Sequence, residues 1–115
     1  TYHEVSVPYD YLLFATGASR EWPIPGATTF WGIADVTDVE GIIGRFKEGR
    51  IHRAAFTMPS VGGWSLPMYE LALLTEAELS RAGVEDYELA VVTPEDAPLQ
   101  QFGRGASEAG ATLLV

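Results

Sequence analysis

The sequence predicts an α/β fold, a parallel sheet crossed by helices, and two observations carry that prediction. Short apolar runs bounded by turn residues alternate with stretches of helical apolar spacing, in the order strand, linker, helix, strand, helix, strand, helix. Within that order, Ile51 to Thr93 is a complete strand–helix–strand unit, and such alternation implies parallel strands with helices as crossovers.

The elements follow in chain order. Tyr9 to Ala15 (YDYLLFA) is an aromatic-rich apolar run in which only Asp10 is polar, the pattern of a buried strand. Thr16 to Ser19 ends it with turn residues. Trp22-Pro23-Ile24-Pro25-Gly26 is an extended linker, because its prolines remove donors and restrict their neighbours. Thr37 and Glu40 fit a capping box, and Val39, Ile42, Ile43 and Phe46 recur at helical spacing before Gly49. A helix from Asp38 to Glu48 is expected.

Ile51 to Met58 is a strand stopped by Pro59, and Pro59 to Ser65 is a loop. Leu66 to Ala82 is the clearest helix. Pro67 lies in its first turn, Met68, Leu71, Ala72, Leu74 and Leu79 form its apolar stripe, and Gly83 suits its stop. Tyr87 to Thr93 is the next strand, stopped by Pro94. Glu95 to Gly103 is a turn-rich connection, and Ala106 to Leu114 begins a helix that Gly105 and Gly110 weaken. The chain stops at Leu113-Leu114-Val115, apolar and with no helix stop, the expectation for a fragment or an excised domain.

The net charge of −9 argues against nucleic-acid backbones and anionic membrane surfaces, which need clustered Lys and Arg. The absence of cysteine excludes a disulfide framework and thiolate catalysis within the chain. No run approaches a membrane span and no signal peptide opens the sequence, so a cytoplasmic location is expected.

In an open parallel sheet, ligands gather beyond the carboxyl ends of the strands. Two loops fall on that edge, Pro59 to Ser65 and Pro94 to Gln101. Gly62 and Gly63 stand just before a helix N-terminus, where backbone can approach a phosphate and first-turn N–H groups point at it. Glu95 and Asp96 follow the next strand, where an acid can accept from both ribose hydroxyls of an adenosine. The plain alternatives stay open. Pro59-Ser60-Val61-Gly62-Gly63 is not G-x-G-x-x-G, and Glu95 and Asp96 could equally be a solvated turn. His3 and His52 have no evident metal-ligand partners, and no Ser-His-Asp arrangement is present. Trp22 and Trp31 fit packing roles, while Trp64 is placed to touch a ligand.

Tyr9 to Gly17 (YDYLLFATG) resembles a segment of the FAD-dependent pyridine nucleotide-disulfide oxidoreductases in which a strand closes part of the FAD domain. Pro23 to Gly26 resembles that family's crossover into its NAD(P)-binding domain. Ala55 to Leu74 resembles the second dinucleotide loop in the branch related to sulfide:quinone reductases and type II NADH dehydrogenases. Val92-Thr93-Pro94-Glu95, then Pro98-Leu99 and Phe102-Gly103, resembles the next strand and loop. The resemblance implies residues 1–26 at the edge of an FAD domain and residues 27–115 as an incomplete Rossmann-like NAD(P)-binding domain. It implies Gly62, Gly63 and Trp64 at the pyrophosphate, Glu95 at the adenosine ribose, Tyr69 and Glu70 near the inter-domain cleft, and Pro59, Ser60 and Thr93 among the other NAD-binding residues. Thr16 and Gly17 would lie on the FAD side of the full-length parent.

An acid at Glu95 opposes a 2′-phosphate, so NAD is favoured over NADP as cofactor. Sulfide:quinone reductases commonly carry a cysteine before this helix. Here Gly63-Trp64-Ser65-Leu66 has none, so thiol-dependent sulfide chemistry gains no support. The expected function is NAD(H) binding within an oxidoreductase that passes hydride from NADH to flavin, with FAD held by the rest of the parent flavoprotein and no turnover by this chain alone. The alternative is a Rossmann-like structural or interaction module without dinucleotide binding, whose exposed sheet edges invite self-association. A response-regulator-like domain is disfavoured by the missing acidic cluster at the first strand.

Overall fold

In the computed structural model, residues 6–15, 24–58 and 63–114 are described. The elements are α1 (Val36–Lys47), β1 (Arg53–Thr57), α2 (Leu66–Arg81), β2 (Glu88–Val92) and α3 (Arg104–Leu113), with short 3-10 turns at Ile33–Asp35 and Gln100–Phe102. β1 and β2 pair in parallel, from Arg53 opposite Glu88 to Thr57 opposite Val92. α2 joins them and packs on both, so the expected strand–helix–strand unit is present. α1 also packs against α2.

α1 begins at Val36, and the expected capping box of Thr37 and Glu40 does not form. Asp35 organises the start instead. Its Oδ2 accepts from the backbone N–H groups of Trp31 at 2.7 Å and Gly32 at 3.1 Å, which fixes the turn ahead of the helix. Both α1 and α2 end as their glycines predict. Gly49 and Gly83 adopt positive φ of 66° and 71°. Arg50 N–H then donates to Arg45 O at 2.9 Å, and Val84 N–H to Leu79 O at 3.1 Å, the closing bonds of two Schellman motifs.

The core among the described residues is thin. Phe46, Tyr69, Ala72 and Leu79 are its buried apolar members. Phe46 meets the ring of Tyr87 edge-on, centroids 6.5 Å apart. The buried face of α2 is Tyr69, Ala72, Thr75 and Leu79, which corrects the expected stripe. Leu74 is 61% exposed, because it lies off the face that meets the strands. Each strand buries one side only. Ala54, Phe56, Leu89 and Val91 are half-buried, while Ala55, Thr57, Ala90 and Val92 are exposed on the other face. A parallel sheet is ordinarily covered on both faces, so one face here is open.

Tyr9 to Ala15 is not a buried strand. A run of this kind needs a neighbouring strand for its backbone and a packed layer for its side chains. The described sheet has two strands, and neither is paired with it. Tyr11 is 95% exposed, Leu13 89% and Phe14 78%. Limited proteolysis with chymotrypsin is therefore expected to cut first at Tyr11 or Phe14, leaving the βαβ unit intact. Equal or earlier cutting within α2 would contradict this arrangement. Trp22 and Pro23 lie outside the described residues, but Ile24 to Ala27 is a closed turn. Ala27 N–H donates to Ile24 O at 3.2 Å, and Gly26 supplies φ of 80° after Pro25, the signature of a type II turn.

α3 starts at Arg104, two residues before the predicted start, and runs through both glycines that weakened the prediction. Gly110 is buried for a packing reason, since a Cβ there would stand 3.2 Å from Leu99 Cδ1. Leu99 itself has φ of 55°, the one positive value among described non-glycine residues.

Candidate functional site

The carboxyl ends of β1 and β2 lead into the loop before α2 and the loop after β2. Two parallel strands in register put these loops side by side. The first loop is described from Gly63 onward, and Pro59, Ser60 and Gly62 lie outside the described residues, as do Thr16, Gly17 and His3. Trp64 is 69% exposed, so the end of this loop is not filled by its own indole.

Glu95 is the hub of the site. Its Oε2 accepts from the Tyr69 hydroxyl at 2.8 Å and from Thr93 Oγ1 at 3.2 Å, and its Oε1 accepts from Ser65 Oγ at 3.2 Å. Thr93 Oγ1 in turn accepts from the Glu95 backbone N–H at 3.2 Å. Gln101 Nε2 donates to Ser65 Oγ at 2.7 Å and makes a long contact of 3.5 Å with Gly63 O. Ser65 and Tyr69 are buried, and Glu95 is half-buried. The Tyr69 phenol is held above its ordinary value. Burial disfavours the phenolate first, and Glu95 adds to this by accepting the phenol's hydrogen bond and repelling its anion.

Of the candidate residues, the structure brings together Gly63, Thr93 and Glu95. Trp64 adjoins them, exposed, beside buried Ser65. Glu70 is exposed on α2 and takes no part in the network. Asp96 is exposed as well, so of the two acids after β2 Glu95 alone turns inward. Ser65, Tyr69 and Gln101 complete the cluster. Ser65 was signalled by its place just before a helix, Tyr69 only by the family resemblance, and Gln101 only by standing at the end of the loop from Pro94 to Gln101.

Two features bear on dinucleotide fit. The first turn of α2 offers fewer free N–H groups than expected, because Pro67 has none and Met68 N–H donates to Ser65 O at 3.1 Å. Leu66 is left to supply one, with any others coming from the loop. A carboxylate carries about four lone-pair positions, and three donors already occupy those of Glu95. One position on Oε1 remains for a ligand hydroxyl.

His52 stands away from this edge, its Nδ1 3.1 Å from Asp86 Oδ2, at the amino ends of the strands. Among the described residues no group of three or more His, Cys, Asp or Glu is placed to hold a metal ion. No helix of the described residues is long and apolar enough to cross a membrane. In comparisons with protein-family models, curated proteins and solved structures, nothing matches this chain.

Proposed function

We propose that the chain is a dinucleotide-binding segment of the Rossmann-like kind, taking NAD(H) at the carboxyl edge of β1 and β2. The reading is carried by one observation. The parallel β1–α2–β2 unit sets the end of a glycine-bearing loop beside an inward-turned acid, with Ser65 Oγ and Glu95 Oε1 3.2 Å apart. That is where open parallel sheets take nucleotides, phosphates against the helix start and ribose against the acid. Trp64, exposed at the loop's end, offers a flat surface to a base. In a full-length flavoprotein parent the chain's part would be to bind and orient NADH as hydride donor to an FAD held elsewhere.

The test is titration of the chain with NADH, followed by amide chemical shifts at Gly62, Gly63 and Glu95. Saturable shifts below millimolar NADH are expected, with NADPH weaker because the Glu95 carboxylate repels a 2′-phosphate. No saturable shift at millimolar NADH would defeat this reading.

A second reading, a structural or interaction module with the same topology, is favoured by a specific observation. Glu95 is already engaged by three side chains of its own chain, as an acid serving the fold would be. The open sheet face and the exposed run at Tyr9 to Phe14 would then be surface for another protein or a second copy.

A further inference from the structure

We propose that Ser65, Tyr69, Thr93, Glu95 and Gln101 form a clasp that makes the loop before α2 and the loop after β2 one mechanical unit, so that a change at either is felt at both. The inference goes beyond the dinucleotide reading and holds whether or not that reading does.

The first support is reach. The bonds cross from 26 residues of separation, Tyr69 to Glu95, to 36, Ser65 to Gln101. They join two segments that the backbone pairing of β1 and β2 leaves free past Met58 and Val92. The second is the behaviour of Ser65. It occupies the N-cap position of α2, where a serine hydroxyl ordinarily accepts from a first-turn N–H. Here it makes no such bond. It donates to Glu95 and accepts from Gln101 instead, so the hydroxyl serves the junction between loops in place of the helix. The third is satisfaction of the buried members. Among the described residues no buried side-chain nitrogen or oxygen lacks a partner, so the buried hydroxyls of Ser65 and Tyr69 are both engaged. Satisfied, part-buried networks of this kind are rigid, and removing one member loosens the rest.

The order of bonds also sets a direction of transmission. Gln101 holds Ser65, Ser65 holds Oε1 of Glu95, and Oε2 is held separately by Tyr69 and Thr93. A ligand with two adjacent hydroxyls finds one open position at Glu95 and takes the second by displacing Ser65. Displacement frees Gln101, and with it the contact to Gly63 O. Ligand arrival at the acid is thereby passed to the glycine loop.

The experiment is NMR-detected amide hydrogen exchange on the intact chain, wild type against Gln101→Ala. Gln101 is exposed and outside the core, so the substitution leaves the fold in place. Exchange is expected to rise roughly fivefold, the factor for one lost hydrogen bond, in residues 96–103 and equally at Gly63 to Ser65. Amides of β1 and β2 should be unchanged. Glu95→Gln should give the same two-loop signature, because a donor then faces hydroxyl donors. Faster exchange confined to residues 96–103 in both variants, with Gly63 to Ser65 unmoved, would overturn the clasp.

Discussion

Phe46→Ala is expected to lower the unfolding free energy by about 3–5 kcal/mol, the range for emptying a buried phenylalanine site. The effect is large relative to the whole, since a domain of this size is held by about 5–15 kcal/mol in total. Phe46 is 2% exposed and is one of four buried apolar side chains among the described residues. It ties α1 to the start of β2 through the Tyr87 ring. The Lys47–Glu78 ion pair, 2.7 Å between α1 and α2, is partly exposed and contributes too little to compensate. Urea unfolding followed by far-ultraviolet circular dichroism measures the loss as a lower midpoint. A change below about 1 kcal/mol would mean that α1 does not dock as described.

Tyr69→Phe is the second. It removes the hydroxyl that donates to Glu95 at 2.8 Å and leaves the ring in place. A hydrogen bond to a charged acceptor is worth about 1.5–3 kcal/mol, and a loss in that range is expected. The pH dependence gives a signature of the phenol itself, raised by burial first and by Glu95 in addition. The folded-state pKa of Tyr69 is raised above the unfolded value of 10.0, so the neutral phenol stabilises the fold. This contribution is complete below the unfolded pKa and is lost as pH rises through the higher folded pKa. Wild-type stability should therefore fall on the alkaline side of pH 10, and this part of the fall should be missing in Tyr69→Phe. An identical alkaline profile in both proteins would show that the Tyr69 phenol is not buried against Glu95 as described.

The order of helices and strands after residue 36 was legible because local signals carry it. Apolar spacing marks α1 and α2, Gly49 and Gly83 mark their ends, and Pro59 and Pro94 follow the strands. Tyr9 to Ala15 failed for the converse reason. Its strand pattern is local, but a strand exists only with a partner, and the described sheet supplies none. The stripe on α2 was partly misassigned because hydrophobicity does not tell which face meets the sheet. Tyr69 and Thr75 go inward and Leu74 stays out. Of the site, the acid after β2 was legible as a residue, but its hydrogen-bond partners were not. Gln101 reaches Ser65 from 36 positions away, and no short-range pattern encodes that meeting.

The parallel register of β1 and β2 has a kinetic consequence. Every rung, from Arg53 with Glu88 to Thr57 with Val92, joins residues 35 positions apart. Closing a flexible loop of that length costs about 3 kcal/mol of chain entropy before any rung forms. A hairpin would have started from adjacent residues, and this ladder cannot. The sixteen residues of α2 can stiffen first, because their bonds are local and their end is set by Gly83. A formed α2 turns a floppy closure into the docking of two short arms on a rod of about 24 Å. Folding is then paced by the arrival of β2 at β1, and during that interval the apolar residues Phe56 and Val91 stand uncovered on separate arms.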